Sequence, residues 1–134
     1  MEFKFFMPAK ILFGCGQVKS LHNQTLPGKK ALIVISNGRS ARANGYLDTV
    51  QNELAQAGAG YAVFDGIKAN PTRRNIMDGA AAARENNCDF ILGLGGGSPL
   101  DASKVIAAMA ANPGDVWDYI SGGTGKGLPL VKDP

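Results

Sequence analysis

The chain has 134 residues, close to the length of one ordinary domain, with 45% apolar residues to build a core and 19% charged residues, too few for an intrinsically disordered chain. Eighteen glycines and seven prolines follow no fixed period, which excludes collagen-like and linker segments. Fourteen Lys and Arg against 11 Asp and Glu leave a net charge of +3, a surplus too mild for the footprint of a nucleic-acid binder.

Phe3 to Phe13 holds two apolar stretches around Pro8, compatible with short strands that need not join a parallel sheet. Ala31-Leu32-Ile33-Val34-Ile35 is an unbroken apolar run ending in Ser36-Asn37-Gly38, which predicts a strand and a loop. Ala43 to Ala57 has helical spacing, with Leu47, Val50, Leu54 and Ala57 on one stripe, and Gly58 and Gly60 stop it. Tyr61 to Phe64 predicts a second strand, ended by Asp65-Gly66. Asn70-Pro71-Thr72 punctuates the chain, and Thr72 is placed to cap a helix running through Ile76, Ala80 and Ala83 to about Asn87.

Phe90 to Leu94 is a third strand, breaking into Gly95-Gly96-Gly97. A helix is expected over Ser98 to Ala111, burying Val105, Ile106 and Met109 and ending at Asn112-Pro113-Gly114. Val116 to Ile120 reads as a short helical or irregular turn, Gly122 to Gly127 as a surface loop, and Leu128 to Val131 as a resumed apolar pattern. Continuous apolar strands alternating with helices predict the α/β class, a parallel sheet covered on both faces with right-handed crossovers.

Cys15 and Cys88 form no CxxC pair, so neither a redox motif nor a zinc knuckle can be written, and two free thiols suit a reducing compartment in which Cys is a small buried apolar residue. The opening residues lack the apolar region and cleavage site of a signal peptide, and the longest apolar run, Val105 to Ala111, is too short for a membrane span. A cytoplasmic protein without membrane or nucleic-acid partners is the expectation.

The segment from Phe90 to Lys104 carries the most chemistry. A buried strand opens into three glycines and a helix begins at once, so backbone can approach a ligand closely where N–H groups lack helical partners and the helix dipole is positive. A phosphate or pyrophosphate suits that place. Ser98 offers a hydroxyl to cap the helix or bond a phosphate oxygen, and Pro99 fits the first helical position. Asp101 is placed to bond back to the exposed N–H groups or to meet a ribose or nicotinamide group, because its charge repels phosphate. Lys104, one turn on, is expected in solvent or paired with an acid. The plain alternative is a tight strand-to-helix turn with ordinary caps.

Two other glycine motifs fail. Gly14-Cys15-Gly16 begins like G-x-G-x-x-G, but Lys19 stands at the third glycine. Gly125-Lys126-Gly127 imitates the end of a P-loop without the Ser or Thr after Lys, and Ile120 replaces the leading glycine. The loop Ser36-Asn37-Gly38-Arg39-Ser40-Ala41-Arg42 follows a strand end and has two arginines and no acid. An acid there would bond an adenosine ribose 2′-hydroxyl, whereas basic and hydroxyl groups receive a 2′-phosphate, so the loop favours NADP over NAD. A solvated loop remains the alternative, above all for Arg42. His22 is the one histidine, and a lone His in a helix-like stretch is ordinarily a surface or half-buried residue. It supports neither a metal site nor a nucleophile–base pair. Trp117 and Tyr119 read as packing groups.

With these residues in view, Gly95-Gly96-Gly97-Ser98-Pro99-Leu100-Asp101-Ala102-Ser103-Lys104 resembles the coenzyme pyrophosphate motif of the iron-containing (group III) alcohol dehydrogenases. Pro8 to Gly16, Lys30 to Ile35, Val63 to Gly66 with Asn70-Pro71-Thr72, and Asn112 to Tyr119 are similar to successive stretches of the same family in one register. The resemblance implies a Rossmann-like parallel sheet with helices on both faces, of the dehydroquinate synthase-like N-terminal type. It implies that Gly97 and Ser98 bind the coenzyme pyrophosphate, with Gly95 and Gly96 in the same coenzyme-binding loop, that Asp101 lies toward the nicotinamide and that Asn70 touches the coenzyme from its loop. Ser36 stands where NAD-preferring members carry Asp, and the longer Asn37-Gly38-Arg39-Ser40 loop resembles that of members using NADP.

Such enzymes interconvert a small alcohol and its aldehyde or ketone by hydride transfer with NAD(P), helped by Fe²⁺ or Zn²⁺ as Lewis acid. The family's metal ligands and Thr-rich loop would follow Pro134. The expectation is therefore a coenzyme-binding domain over 1–134, cut before its last strand, lacking the C-terminal metal-binding helical domain and inactive alone. Its partners would be a nicotinamide dinucleotide and, in the longer enzyme, a small alcohol or aldehyde, with a homodimer possible. A stand-alone module for a nucleotide or phosphorylated metabolite, and a relative of the glycerol dehydrogenase or dehydroquinate synthase type, are the alternatives.

Overall fold

Among the described residues, every strand pairing runs through the apolar run at Ala31–Ile35. The computed structural model describes residue 2 and residues 8–134. In chain order a 3-10 helix, Gln17–Asn23, precedes β1 (Lys30–Ser36), α1 (Ser40–Ala43), α2 (Tyr46–Gln56), β2 (Gly60–Ile67), α3 (Arg73–Glu85), β3 (Phe90–Gly93), α4 (Gly97–Ala111) and α5 (Val116–Tyr119). The strands stand in the order β2-β1-β3 and pair in parallel, Leu32 facing Ala62 on one side and Ile91 on the other.

Alternation along β1 divides the core. Leu32 and Val34 point to one face and pack with Ile76 and Ala80 of α3 and Ala102, Ile106 and Met109 of α4. Ala31, Ile33 and Ile35 point to the other and pack with Leu47, Val50 and Leu54 of α2 and Leu21 of the 3-10 helix. Both faces are covered, which is why the strand contains no polar residue between Ala31 and Ile35. The chain leaves β1 toward β2 across one face and returns past β1 to β3 across the other, so the two crossovers share one hand.

Thr72 caps α3 as expected. Its hydroxyl accepts the Asn75 N–H at 3.3 Å while the Asn75 side chain accepts the Thr72 N–H at 3.1 Å. The lower edge of the sheet is tied by Asp89, whose carboxylate accepts the N–H groups of Lys29 and Lys30 at 2.8–3.0 Å. Those backbone donors hold the Asp89 carboxyl below the usual carboxylate range.

Several expectations are corrected. Phe3 to Met7 lie outside the described residues, and residues 8–13 form no strand. The strand predicted to stop at Asp65-Gly66 continues to Ile67, because a bulge lets Ser36 face Ile67 and keeps the ladder paired. The helix predicted from Ala43 is interrupted by Gly45 at φ 73°, so α1 and α2 are separate. Ala57 falls beyond the end of α2 and is exposed, and Val105 faces solvent while Ala102 takes the buried place one turn earlier. Cys15 is exposed, not buried.

The tail after α5 is anchored by buried Asn112, whose side chain accepts the N–H groups of Val131 and Lys132 and donates to the Lys132 carbonyl, each at 2.8 Å. Trp117 is exposed with its indole N–H donated to Thr124 at 2.8 Å, whereas Tyr119 packs against the core as expected. No helix among the described residues is long and apolar enough to cross a membrane.

Candidate functional site

The order β2-β1-β3 makes the gap between β1 and β3 the point at which successive connections leave in opposite directions. In open α/β sheets a crevice forms there, outside the carboxyl ends of the strands. A groove of about 340 Å³ occupies that place, lined by Ser36, Asn37, Gly38, Ala69, Gly96, Gly97, Ser98 and Pro99. The loops after all three strands contribute to it.

The glycine triplet divides its work. Gly95 has φ +136°, in the region that L side chains rarely adopt, and an added Cβ there would press on Pro99 at 2.8 Å. Gly95 therefore makes the turn. Gly96 and Gly97 have open space where a Cβ would stand, so their backbone is the floor of the groove. Helix α4 starts at Gly97 after Gly96 as N-cap, with no side chain capping it. The N–H groups of Gly97 and Ser98 have no carbonyl a turn earlier within the helix and face the groove's end, where the dipole of a 15-residue helix is positive. An anionic ligand fits this cradle, since a ligand atom can take the room that a Cβ would fill.

Three details differ from expectation. Ser98 is the second residue of α4, not its cap, and it lines the groove without closing the helix end. Pro99 is the third helical residue, where a missing N–H is still without cost because it belongs to the unpaired first turn. Asp101 does not bond back to the helix start. Its carboxylate, with the side chain 78% exposed, accepts Lys104 Nζ at 3.0 Å, which also accounts for Lys104.

On the β1 side, Ser36 and Gly38 line the groove while Arg39 and Ser40 follow at the start of α1, exposed and outside the lining. Arg39 enters none of the ion pairs among the described residues, whereas Arg42 Nη2 bonds Asp65 Oδ2 at 2.7 Å. Asn70 is exposed beside Ala69, which lines the groove in its stead. Asn37, part of the loop expected to meet the coenzyme, lines the groove, whereas Ala69 is a lining residue that the sequence pattern does not predict. The signal for Ala69 was its place after a parallel strand, since every such strand ends at the same edge.

His22 is not among the residues that line this groove. Its ring Nδ1 lies 2.6 Å from Glu53 Oε2, and its backbone N–H donates to the same oxygen at 3.0 Å. These bonds hold the Glu53 carboxyl below its ordinary range despite its 6% exposure. No group of three or more His, Cys, Asp or Glu side chains among the described residues is placed to hold a metal ion, so Fe²⁺ or Zn²⁺ does not fit here and no step through a metal follows from these residues.

Comparison with known proteins gives a consistent answer. The model of the family described as iron-containing alcohol dehydrogenase matches residues 8–133. A probable NADH-dependent butanol dehydrogenase 1 of Bacillus subtilis (strain 168) is 36% identical over 120 residues, covering 90% of this chain and 31% of the relative. An NADPH-dependent butanol dehydrogenase of Clostridium saccharobutylicum is 33% identical over 117 residues, covering 87% of this chain and 29% of the relative. Among solved structures, the archaeal halo-thermophilic Red Sea brine pool alcohol dehydrogenase ADH/D1 superposes with a TM-score of 0.84 at 31% identity, covering 98% of this chain and 34% of that one. The chain thus spans about a third of the length of the relatives it matches.

Proposed function

The chain belongs to the iron-containing alcohol dehydrogenase family, and on that premise we propose that it is the coenzyme-binding part of a nicotinamide-dependent enzyme interconverting a small alcohol and its aldehyde or ketone. The observation that carries this is the groove between β1 and β3, floored by Gly96 and Gly97 and closed by the start of α4. Its residues divide the binding between them. The N–H groups of Gly97 and Ser98 and the Ser98 hydroxyl hold the pyrophosphate, Gly95 sets the turn that presents them, and Ser36, Gly38, Arg39 and Ser40 receive the adenosine ribose. Asn70 meets the coenzyme from the β2 side, and Asp101 stands toward the nicotinamide end.

When bound, the nicotinamide gives or takes the hydride. The described residues that line the groove orient the dinucleotide and include no titratable side chain. Metal ligands belong, in this reading, to the part of the relatives that the chain does not span, so the 134 residues form a domain that binds without turning over.

NADP is the favoured form. A 2′-phosphate meets Arg39 and the hydroxyls of Ser36 and Ser40, and no carboxylate repels it from the groove lining. Calorimetric titration of the chain with NADPH and NADH tests the reading, with NADPH binding expected to be the tighter. Ser36→Asp should weaken NADPH by about tenfold through like-charge repulsion and spare NADH. A preference for NADH in the unsubstituted chain overturns the NADP assignment. Alcohol oxidation by the isolated chain with added Fe²⁺ or Zn²⁺ overturns the assignment of catalysis to a larger protein.

A further inference from the structure

The loop after β1 carries two arginines, and the structure uses one of them against its neighbour. Arg39 adopts a helical backbone conformation, φ −88° and ψ −15°, and its carbonyl accepts the Ala43 N–H at 2.8 Å, so residues 39 to 43 make one helical turn. Ala41 is the residue of that turn that points into the core. Arg39 and Arg42, three apart, therefore share one solvent-facing side, close enough for both guanidinium groups to serve a single anion. Yet Arg42 is tied to Asp65 on β2 at 2.7 Å, beside the bulge where Ser36 faces Ile67.

We propose that Asp65 is a specificity-determining residue that acts by position: it draws Arg42 toward β2 and so restrains the preference for a 2′-phosphorylated coenzyme over the unphosphorylated one. The proposal rests on the reading of the groove as a nicotinamide dinucleotide site. Arg39 alone then faces the 2′-phosphate, and the second fork that could grip it is held by a carboxylate. Both partners of the pair are more than half exposed, so the bond adds little to folding stability and its effect lies in where Arg42 stands.

The test titrates four proteins with NADPH and NADH in parallel: the unsubstituted chain, Asp65→Ala, Arg42→Ala and the double variant. Asp65→Ala should raise the NADPH-to-NADH affinity ratio about fivefold, the size of one added charge-assisted contact at a surface site. In the Arg42→Ala background the same substitution should leave the ratio where it was. An equal rise in that background would mean that only the charge of Asp65 matters and overturns the proposal, as does an unchanged ratio in Asp65→Ala. Tight binding of both coenzymes with an unaltered ratio defeats the proposal and leaves the groove reading standing. Binding of neither coenzyme by any of the four defeats both.

Discussion

Gly93, the last residue of β3, lies against Ser103 of α4. A Cβ on the glycine would stand 2.6 Å from the serine Oγ and 3.1 Å from its Cβ. That serine is buried and donates its hydroxyl to the Pro99 carbonyl at 2.6 Å, inside the first turn of the helix. The close approach seats α4 on the sheet with its start aimed at the groove.

Gly93→Ala should accordingly force α4 away from β3. Overpacking of this kind typically costs about 1–3 kcal/mol, read as a lower midpoint in urea. Coenzyme affinity should fall as well, although residue 93 is outside the groove lining.

Gly97→Ala separates binding from stability. Nothing stands within 4 Å of the added methyl group, so the urea midpoint should change little, by about 0.5 kcal/mol or less in stability. The methyl enters the floor of the groove, and affinity for NADPH should drop by roughly tenfold or more. Unchanged affinity in a folded variant would remove Gly97 from the site.

Asp89 predicts the acid limb of stability. Its carboxyl titrates below the usual range because Lys29 and Lys30 donate their backbone N–H groups to it. A depressed folded-state value means that its stabilisation is complete above the unfolded value, near pH 4, and is lost as pH falls through the lower folded value. Asp89→Asn should therefore lower the urea midpoint at pH 7, and the gap between the two proteins should narrow as pH falls below about 4.

Glu53→Ala should release the 3-10 helix from α2, since one buried oxygen accepts both the His22 N–H and the His22 ring. Hydrogen exchange at the His22 amide should quicken by about tenfold, with the β1 amides unaffected. Equal protection in both proteins would show that Leu21 packing alone holds the helix.

The strands were legible because a strand buried on both faces must be apolar throughout, and Ala31–Ile35 meets that condition. The turn at Gly95 and the helix after it were legible from residues that few other conformations require. What escaped depends on partners distant in sequence. The length of β2 was hidden because the bulge opposite Ser36 allows pairing past Asp65-Gly66. Arg42 reads as a free cation until β2 brings Asp65 beside it, and no local pattern pairs Glu53 with His22, 31 residues earlier. Ser98 looked like a helix cap because the pattern does not reveal that Gly96 can hold that position unaided.

Because β2 and β3 each bond to β1 and not to each other, the sheet of the described residues has a single hub. Partial opening of the domain can shed either outer strand and keep one pairing, but loss of the middle one dissolves all of them together. Both walls of the groove, built on β1 and on the β3–α4 junction, therefore come apart whenever β3 detaches.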